Sequence, residues 1–337
     1  MNSFGRIFRV SIFGESHGPS VGIVIDCCPA GIELKEGDFV VDLERRKAGA
    51  KGTTPRKEDD IPKFLSGIFN DRTTGAPLTI VFENNNTKSS DYEKLKNVPR
   101  PGHADFVLHE KFRGFNDYRG GGHSSGRLTV ALTAAGVVAK KVLAFTVAPL
   151  EGDAFTAVNI QAKVIEAGGS TNIEEAIEKA VEEQDSIGGV IECRVKELPI
   201  GLGEPFFDSV ESLISHAVFS IPAIKGIEFG TGFAGSAMKG SENNDAIIDA
   251  NGTTKTNNAG GINGGLTNGN ELVFRVAVKP TSSTPKEQQT WNKETQSVEA
   301  FQVKGRHDLC IALRAPVVVE AVTAMVLVDL KMISKRS

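Results

Sequence analysis

Several functional classes are excluded by what this chain has little of. Its 337 residues include only four cysteines: Cys27, Cys28, Cys193 and Cys310. The adjacent pair could bridge only with strain, and no Cys-x-x-Cys spacing offers zinc a site. Four reduced thiols in a reducing compartment are expected, and no metal ligands. There is no run of about 18 apolar residues, so no membrane span is expected. Arg6 and Arg9 interrupt the first apolar stretch, unlike a signal peptide, and a cytoplasmic location is expected. A net charge of −4 gives no global basic field, which argues against a nucleic-acid partner. One Trp and two Tyr stand against nineteen Phe, a bias for which we have no physical account. No internal repeat and no shift in composition marks a boundary, so residues 1–337 read as a single catalytic domain.

What is present is a set of histidines in polar loops. His17 lies in Gly14-Glu15-Ser16-His17-Gly18, and His103 in Arg100-Pro101-Gly102-His103-Ala104-Asp105. His123 follows Arg119-Gly120-Gly121-Gly122 and precedes Ser124-Ser125-Gly126-Arg127, while His307 lies in Gly305-Arg306-His307-Asp308. A histidine beside glycine, arginine or a carboxylate faces something polar, and imidazole exchanges protons near neutral pH. Local cations such as Arg45-Arg46-Lys47 on an acidic chain suit a small anionic ligand. The pattern points to acid–base chemistry on an anionic substrate.

Periodicity predicts strands over 8–13, 21–28, 78–83, 190–195 and 272–278, and an extended segment over 221–229. It predicts helices over 35–46, 126–147, 172–185, 207–219 and 317–332. Residues 60–69 also read as a helix, with Ile61, Phe64, Leu65 and Ile68 on one face. Thr171 is a candidate cap for the 172–185 helix, and Ser124 or Ser125 for the 126–147 helix. Residues 251–270 resemble a linker by composition, yet a strand follows. The α and β elements alternate without a βαβ rhythm, which disfavours a doubly wound sheet and indicates an α+β class.

Taken singly, most motifs have an ordinary structural reading. The Gly14–Gly18 segment fits a strand-ending turn, and no helix signal follows it, so it is not a nucleophile elbow. The 100–105 segment fits a proline turn equally well. At Gly120 to Arg127 the functional reading leads, because a glycine loop opening a helix presents free N–H groups to an anion. That loop lacks the Gly-Lys-Ser/Thr of a P-loop and the Gly-x-Gly-x-x-Gly of a dinucleotide site. Lys279-Pro280-Thr281-Ser282-Ser283 and Arg306-His307-Asp308 each fit a polar turn.

In combination, the motifs resemble the chorismate synthase family. The matching stretches include 14–18, 42–46, Leu65-Ser66-Gly67, Thr73-Thr74-Gly75, 100–105 and 117–125. They continue through 201–205, Lys225-Gly226, Ala259-Gly260-Gly261, 279–283 and 305–308. The resemblance implies a family-specific β-α-β sandwich, a homotetramer, and a lyase of the shikimate pathway of aromatic amino-acid biosynthesis. In the implied reaction, 5-enolpyruvylshikimate 3-phosphate loses phosphate and a ring proton by anti-1,4-elimination. Reduced FMN is required without net redox change, and NADPH enters only indirectly, through flavin reduction. An external flavin reductase is expected, since no separate nicotinamide module is visible.

By the same resemblance, His17 protonates the leaving phosphate, His103 sets the protonation of the flavin, and Asp308 works with the flavin in taking the ring proton. Cofactor contacts fall on His123, Ser124, Ser125, Pro222, Ala223, Gly264, Lys279, Pro280, Thr281, Ser282, Ser283 and Arg306. Arg46, Lys51 and Arg127 fall on the substrate or reductant side. The chain departs from the family at His123 and Leu128, at 47–51, and at Asn258, where the family often has other residues. The stretch 147–169 is short for the family and reads as a surface deletion. Two other classes remain open on the residues alone: a flavin oxidoreductase with net hydride transfer, and a non-catalytic anion- or flavin-binding scaffold.

Overall fold

The computed structural model describes residues 2–49, 51–54, 58–86, 89–146, 158–303 and 307–334. Two antiparallel sheets enclose a layer of helices. The first sheet has the order Ser3–Phe4, Arg9–Gly14, Ser20–Asp26, Leu78–Glu83, Lys63–Ser66. The second runs Ile224–Phe229, Leu272–Val278, Gly189–Lys196, Asn159–Ala167.

Alternation in the sequence sets which face each sheet buries. In the first sheet Val21, Ile23 and Ile25 pair directly with Phe82, Ile80 and Leu78, and all six are fully buried. In the second, Ile191, Cys193 and Val195 pair with Val276, Phe274 and Leu272, again fully buried. A one-residue slip would turn each of these rows to the opposite face.

Helix Thr129–Thr146 packs on the first sheet and helix Pro316–Ser334 on the second. These two helices pack along each other, and a Cβ at Gly136 would lie 2.4 Å from Ala321 Cα. Only glycine permits that approach. Both helices are apolar around most of their circumference, as helices covered on all sides are. The stretch Arg119–Phe145 is long and apolar enough to cross a membrane by composition, but it is mostly buried in this core.

Two expectations are corrected. Residues 60–69 form no helix: Lys63–Ser66 pairs with Leu78–Glu83, with a register shift between Phe64 and Ser66, and Ile68–Phe69 starts a hairpin. Leu65 is exposed, so the apolar spacing here is not a buried helical face. Pairing with a central strand decides such short runs. The 173–183 helix is capped by Asn172, whose side chain accepts from Glu175 N–H, and not by Thr171. The linker-like 251–270 segment is ordered by its own turns and the Ile262–Asn263/Leu266–Thr267 hairpin. Of the stretch 147–169, residues 147–157 lie outside the described residues, and Asn159–Ala167 is an edge strand without a clear sequence signal. The end of the predicted 126–147 helix also reaches those undescribed residues.

Candidate active site

Two cavities, of about 230 and 710 Å³, meet at the glycine loop. Gly120, Gly121 and Gly122 all have left-handed φ (59, 82 and 54°), a run that only glycine sustains. Gly122 O accepts from Ser16 N–H at 3.1 Å, which pins this loop to the Ser16-His17 turn. Ser124 Oγ donates to Gly121 O at 2.8 Å. Ser125 caps the following turn, accepting from Arg127 N–H at 3.3 Å, and so resolves the choice between the two serines. His17 is buried behind Gly120 and meets the Tyr92 ring edge-on at 4.9 Å. Gly120, Tyr92 and Ser16 all line the smaller cavity.

The smaller cavity carries five cations, Arg46, Lys47, Arg100, Arg127 and Arg314, against the carboxylates Glu58, Asp60 and Asp308. Arg46, from the helix Val40–Arg46, is buried and donates to Asp60 at 2.5 Å. Burial, with Arg314 and Arg127 nearby, pulls its guanidinium down to about 10 although Asp60 opposes the shift. Arg46 Nε is buried with no hydrogen-bond partner among the described residues. Burial opposes ionisation of Asp60, yet Arg46 and Arg127 outweigh it and hold the carboxyl below its ordinary range. Arg127 also lines this cavity, but its donors are engaged by Asp60, Asn84 Oδ1 and Glu83 O. Asp308 faces the same space. Arg314 Nη1 donates to both of its oxygens (3.2 and 2.9 Å), and Thr54 N–H donates to Oδ1 at 2.9 Å.

The larger cavity has an apolar wall that includes Ile12, Leu128, Leu132 and Met325. Its polar side carries His103, Ser282, Ser283 and Lys279. Lys279 Nζ donates to Gly102 O at 2.7 Å, and burial with the nearby Lys225 lowers its pKa. Ala223, at φ 75°, lies beside Lys279 and accepts from its backbone N–H. His123 stands exposed at the rim, with Nδ1 donating to Gly14 O at 2.7 Å and Nε2 3.2 Å from Asn2 Oδ1. Thr281 Oγ1, buried without a hydrogen-bond partner among the described residues, belongs to a residue on both cavity walls.

The fold therefore gathers His103, His123, Ser124, Ser125, Pro222, Ala223 and residues 279–283 around the larger space. Arg46, Arg127 and Asp308 gather around the smaller one. Three expected residues line neither, and the first is His17, which stays buried behind Gly120. Lys51 is exposed and pairs with Glu178 at 2.7 Å, while Lys47 takes a place on the cavity wall. Gly264 sits in the turn of the 262–267 hairpin. Asn258 is likewise remote, its amide donating to Glu242 O and Asn243 O. Arg306 lies outside the described residues.

A family model described as chorismate synthase matches residues 8–332. The chain belongs to the chorismate synthase family. The chorismate synthase of Chitinophaga pinensis is 65% identical over 337 residues, covering 100% of this chain and 98% of that one. That of Dehalococcoides mccartyi (strain BAV1) is 45% identical, covering 98% and 96%. A crystal structure of a chorismate synthase superposes with TM-score 0.73 at 25% identity, covering 98% of this chain and 93% of that one. The β-α-β sandwich is thus the fold of this chorismate synthase family member, which is an enzyme of the carbon–oxygen lyase class acting on phosphates and serves chorismate formation in the shikimate pathway.

Sequence reasoning missed Asp60, Thr54, Tyr92 and Arg314 as wall residues. Asp60 adjoins another aspartate in a charged segment, and nothing local singles it out. Arg314 carried a usable signal, a cation two residues before the proline that opens an apolar helix.

Proposed function

We propose that the chain converts 5-enolpyruvylshikimate 3-phosphate to chorismate by anti-1,4-elimination of phosphate and a ring proton. The observation that carries this reading is the pair of adjoining cavities, one with an excess of cations and one with an apolar wall facing a polar one, sharing Gly120. A substrate with one phosphate and two carboxylates needs charge-assisted donors, and Arg46, Arg100 and Arg314 line the smaller space. The buried Arg46 Nε is a donor suited to such an acceptor.

The larger cavity fits a flavin in kind. Its volume of about 710 Å³ lies in the ordinary range for cofactor sites, roughly 300–1,000 Å³. Ser124, Ser125, Pro222, Ala223 and residues 279–283 would hold FMN against the Leu128 and Leu132 wall. Reduced FMN, when bound, supplies electron density for C–O cleavage and is needed without net redox change. The chain's own residues do the rest. His17 gives a proton to the departing phosphate oxygen from behind Gly120. His103 presents a ring nitrogen to the cofactor space. The Asp308 carboxylate, held by Arg314 and Thr54, takes part in removing the ring proton. Arg127 holds Asp60, and Asp60 aligns Arg46.

The test is anaerobic incubation with the substrate and catalytic reduced FMN. Phosphate and chorismate should form in equal amounts while the flavin stays reduced. Stoichiometric flavin oxidation would instead identify an oxidoreductase. The reading includes a cytoplasmic homotetramer served by an external flavin reductase. Heavily exposed Phe206, Phe207 and Phe233 support burial between subunits, and light scattering reads the assembly. Steady turnover with NADPH and FMN alone would remove the reductase.

A further inference from the structure

We infer that Asp105 is a positioning residue that fixes His103 in the Nδ1–H tautomer, so that Nε2 carries the lone pair. The inference rests on the reading above only in giving His103 a task at the cofactor space.

His103 Nδ1 has two neighbours. Asp105 Oδ1 lies at 2.7 Å and Arg100 Nη2 at 3.1 Å. One in-plane nitrogen cannot donate to the first and accept from the second at once. The carboxylate contact is shorter and charge-assisted. Arg100 Nη2 also has its own acceptor in Asp105 Oδ1, at 2.9 Å. The proton therefore sits on Nδ1, which in a neutral imidazole leaves Nε2 as acceptor. The Cε1–Nε2 edge is the one facing Gly121, where a Cβ would meet Cε1 at 3.4 Å and Nε2 at 3.6 Å. His103 itself lines the larger cavity.

Asp105 can do this because it is held from the other side. Its side chain is buried, and an unpaired buried carboxylate would be costly. Arg100 Nε donates to Oδ2 at 2.8 Å, and Arg100 N–H donates to the same oxygen at 3.1 Å. Burial opposes its ionisation, but bonds from Arg100 and His103 outweigh it and hold the carboxyl far below its ordinary range. Arg100 Nη1 then reaches Ser283 Oγ at 3.1 Å, so the same guanidinium ties the 100–105 turn to the 279–283 segment. The histidine ring, its tautomer and one wall of the cavity are set together.

The direct measurement is ¹⁵N spectroscopy of the full chain labelled at histidine, with the His103 signals assigned by their loss in His103→Ala. In the neutral ring, Nδ1 should resonate as a protonated and Nε2 as an unprotonated nitrogen. The reverse pattern overturns the proposal, and this reading needs no Asp105 variant to fold. Turnover adds a cycle. Asp105→Asn should lose on the order of 10–100-fold, the range for partners that orient a histidine at a metal, and nothing further in the His103→Ala background. Independent, additive losses would mean that Asp105 serves folding alone and would overturn the role. Normal turnover of His103→Ala would sink the assignment of His103 and leave the tautomer to the spectrum.

Discussion

His17 and His103 stand against neighbouring glycines of one loop. A Cβ on Gly120 would lie 2.6 Å from His17 Cδ2, and a Cβ on Gly121 would lie 3.4 Å from His103 Cε1. The loop is therefore a partition between two imidazoles, with His103 on the wall of the larger cavity and His17 buried behind Gly120. Both glycines have left-handed φ, so alanine strains the backbone at either position. Only at Gly120 does it also collide with the ring and with Ser16 Oγ, at 2.9 Å. Gly120→Ala should lower turnover far more than Gly121→Ala and should also cost more melting temperature, because it adds a collision to the backbone strain. Equal losses of turnover would mean that backbone strain, not the His17 contact, is what matters.

Removing the imidazole itself tests the acid. His17→Ala should lower turnover by about 10²–10⁴-fold, the usual contribution of a general acid. FMN affinity should change little, because His17 lies behind the smaller cavity. Steady-state kinetics with flavin titration checks both, and near-normal turnover would take His17 out of the mechanism.

Asp308→Asn keeps the shape of the side chain and removes the charge that Arg314 faces. Substrate and flavin should still bind, while cleavage of the ring C–H bond slows. The kinetic isotope effect at the lost proton should stay large or rise. A variant that loses substrate affinity alone would make Asp308 a binding residue.

Stability at low pH should depend on Glu320, buried in the closing helix. Its carboxylate accepts from Arg45 twice at 2.7 Å, from Lys140 at 3.2 Å and from Ala162 N–H at 2.8 Å. Burial opposes its ionisation, but Arg45, Lys140 and Ala162 hold its pKa below the ordinary 4.5. The unfolded chain then binds this proton more readily, so the contribution is present above about pH 4.5 and is lost as pH falls below it. Glu320→Gln should cost about 1.5–3 kcal/mol at neutral pH, the range for hydrogen bonds to charged groups. Its denaturation midpoint should also fall less steeply below that pH than in the wild type. Parallel acid profiles would show that Glu320 is not a source of the acid sensitivity.

Much of the frame is determined within short stretches of sequence. The alternation of Val21, Ile23 and Ile25 specifies a strand face, and the unbroken apolar run after Pro316 specifies a covered helix. Three glycines before two serines mark a loop that opens a helix. These signals are legible because the period of a strand or helix is written in adjacent residues. Residues 60–69 show the limit, since their spacing reads as a helix until a central strand pairs with Lys63–Ser66. The site was decided elsewhere. Arg46 meets Asp60, Arg127 meets the same carboxylate, and Arg100 meets Ser283, across 14, 67 and 183 positions of chain. No local pattern states which buried charge will face which. That choice is made when the sheets and helices stack, because a buried charge must take the partner that packing brings within reach. The same stacking leaves Lys51 with Glu178 and Gly264 in its hairpin, apart from the cavities.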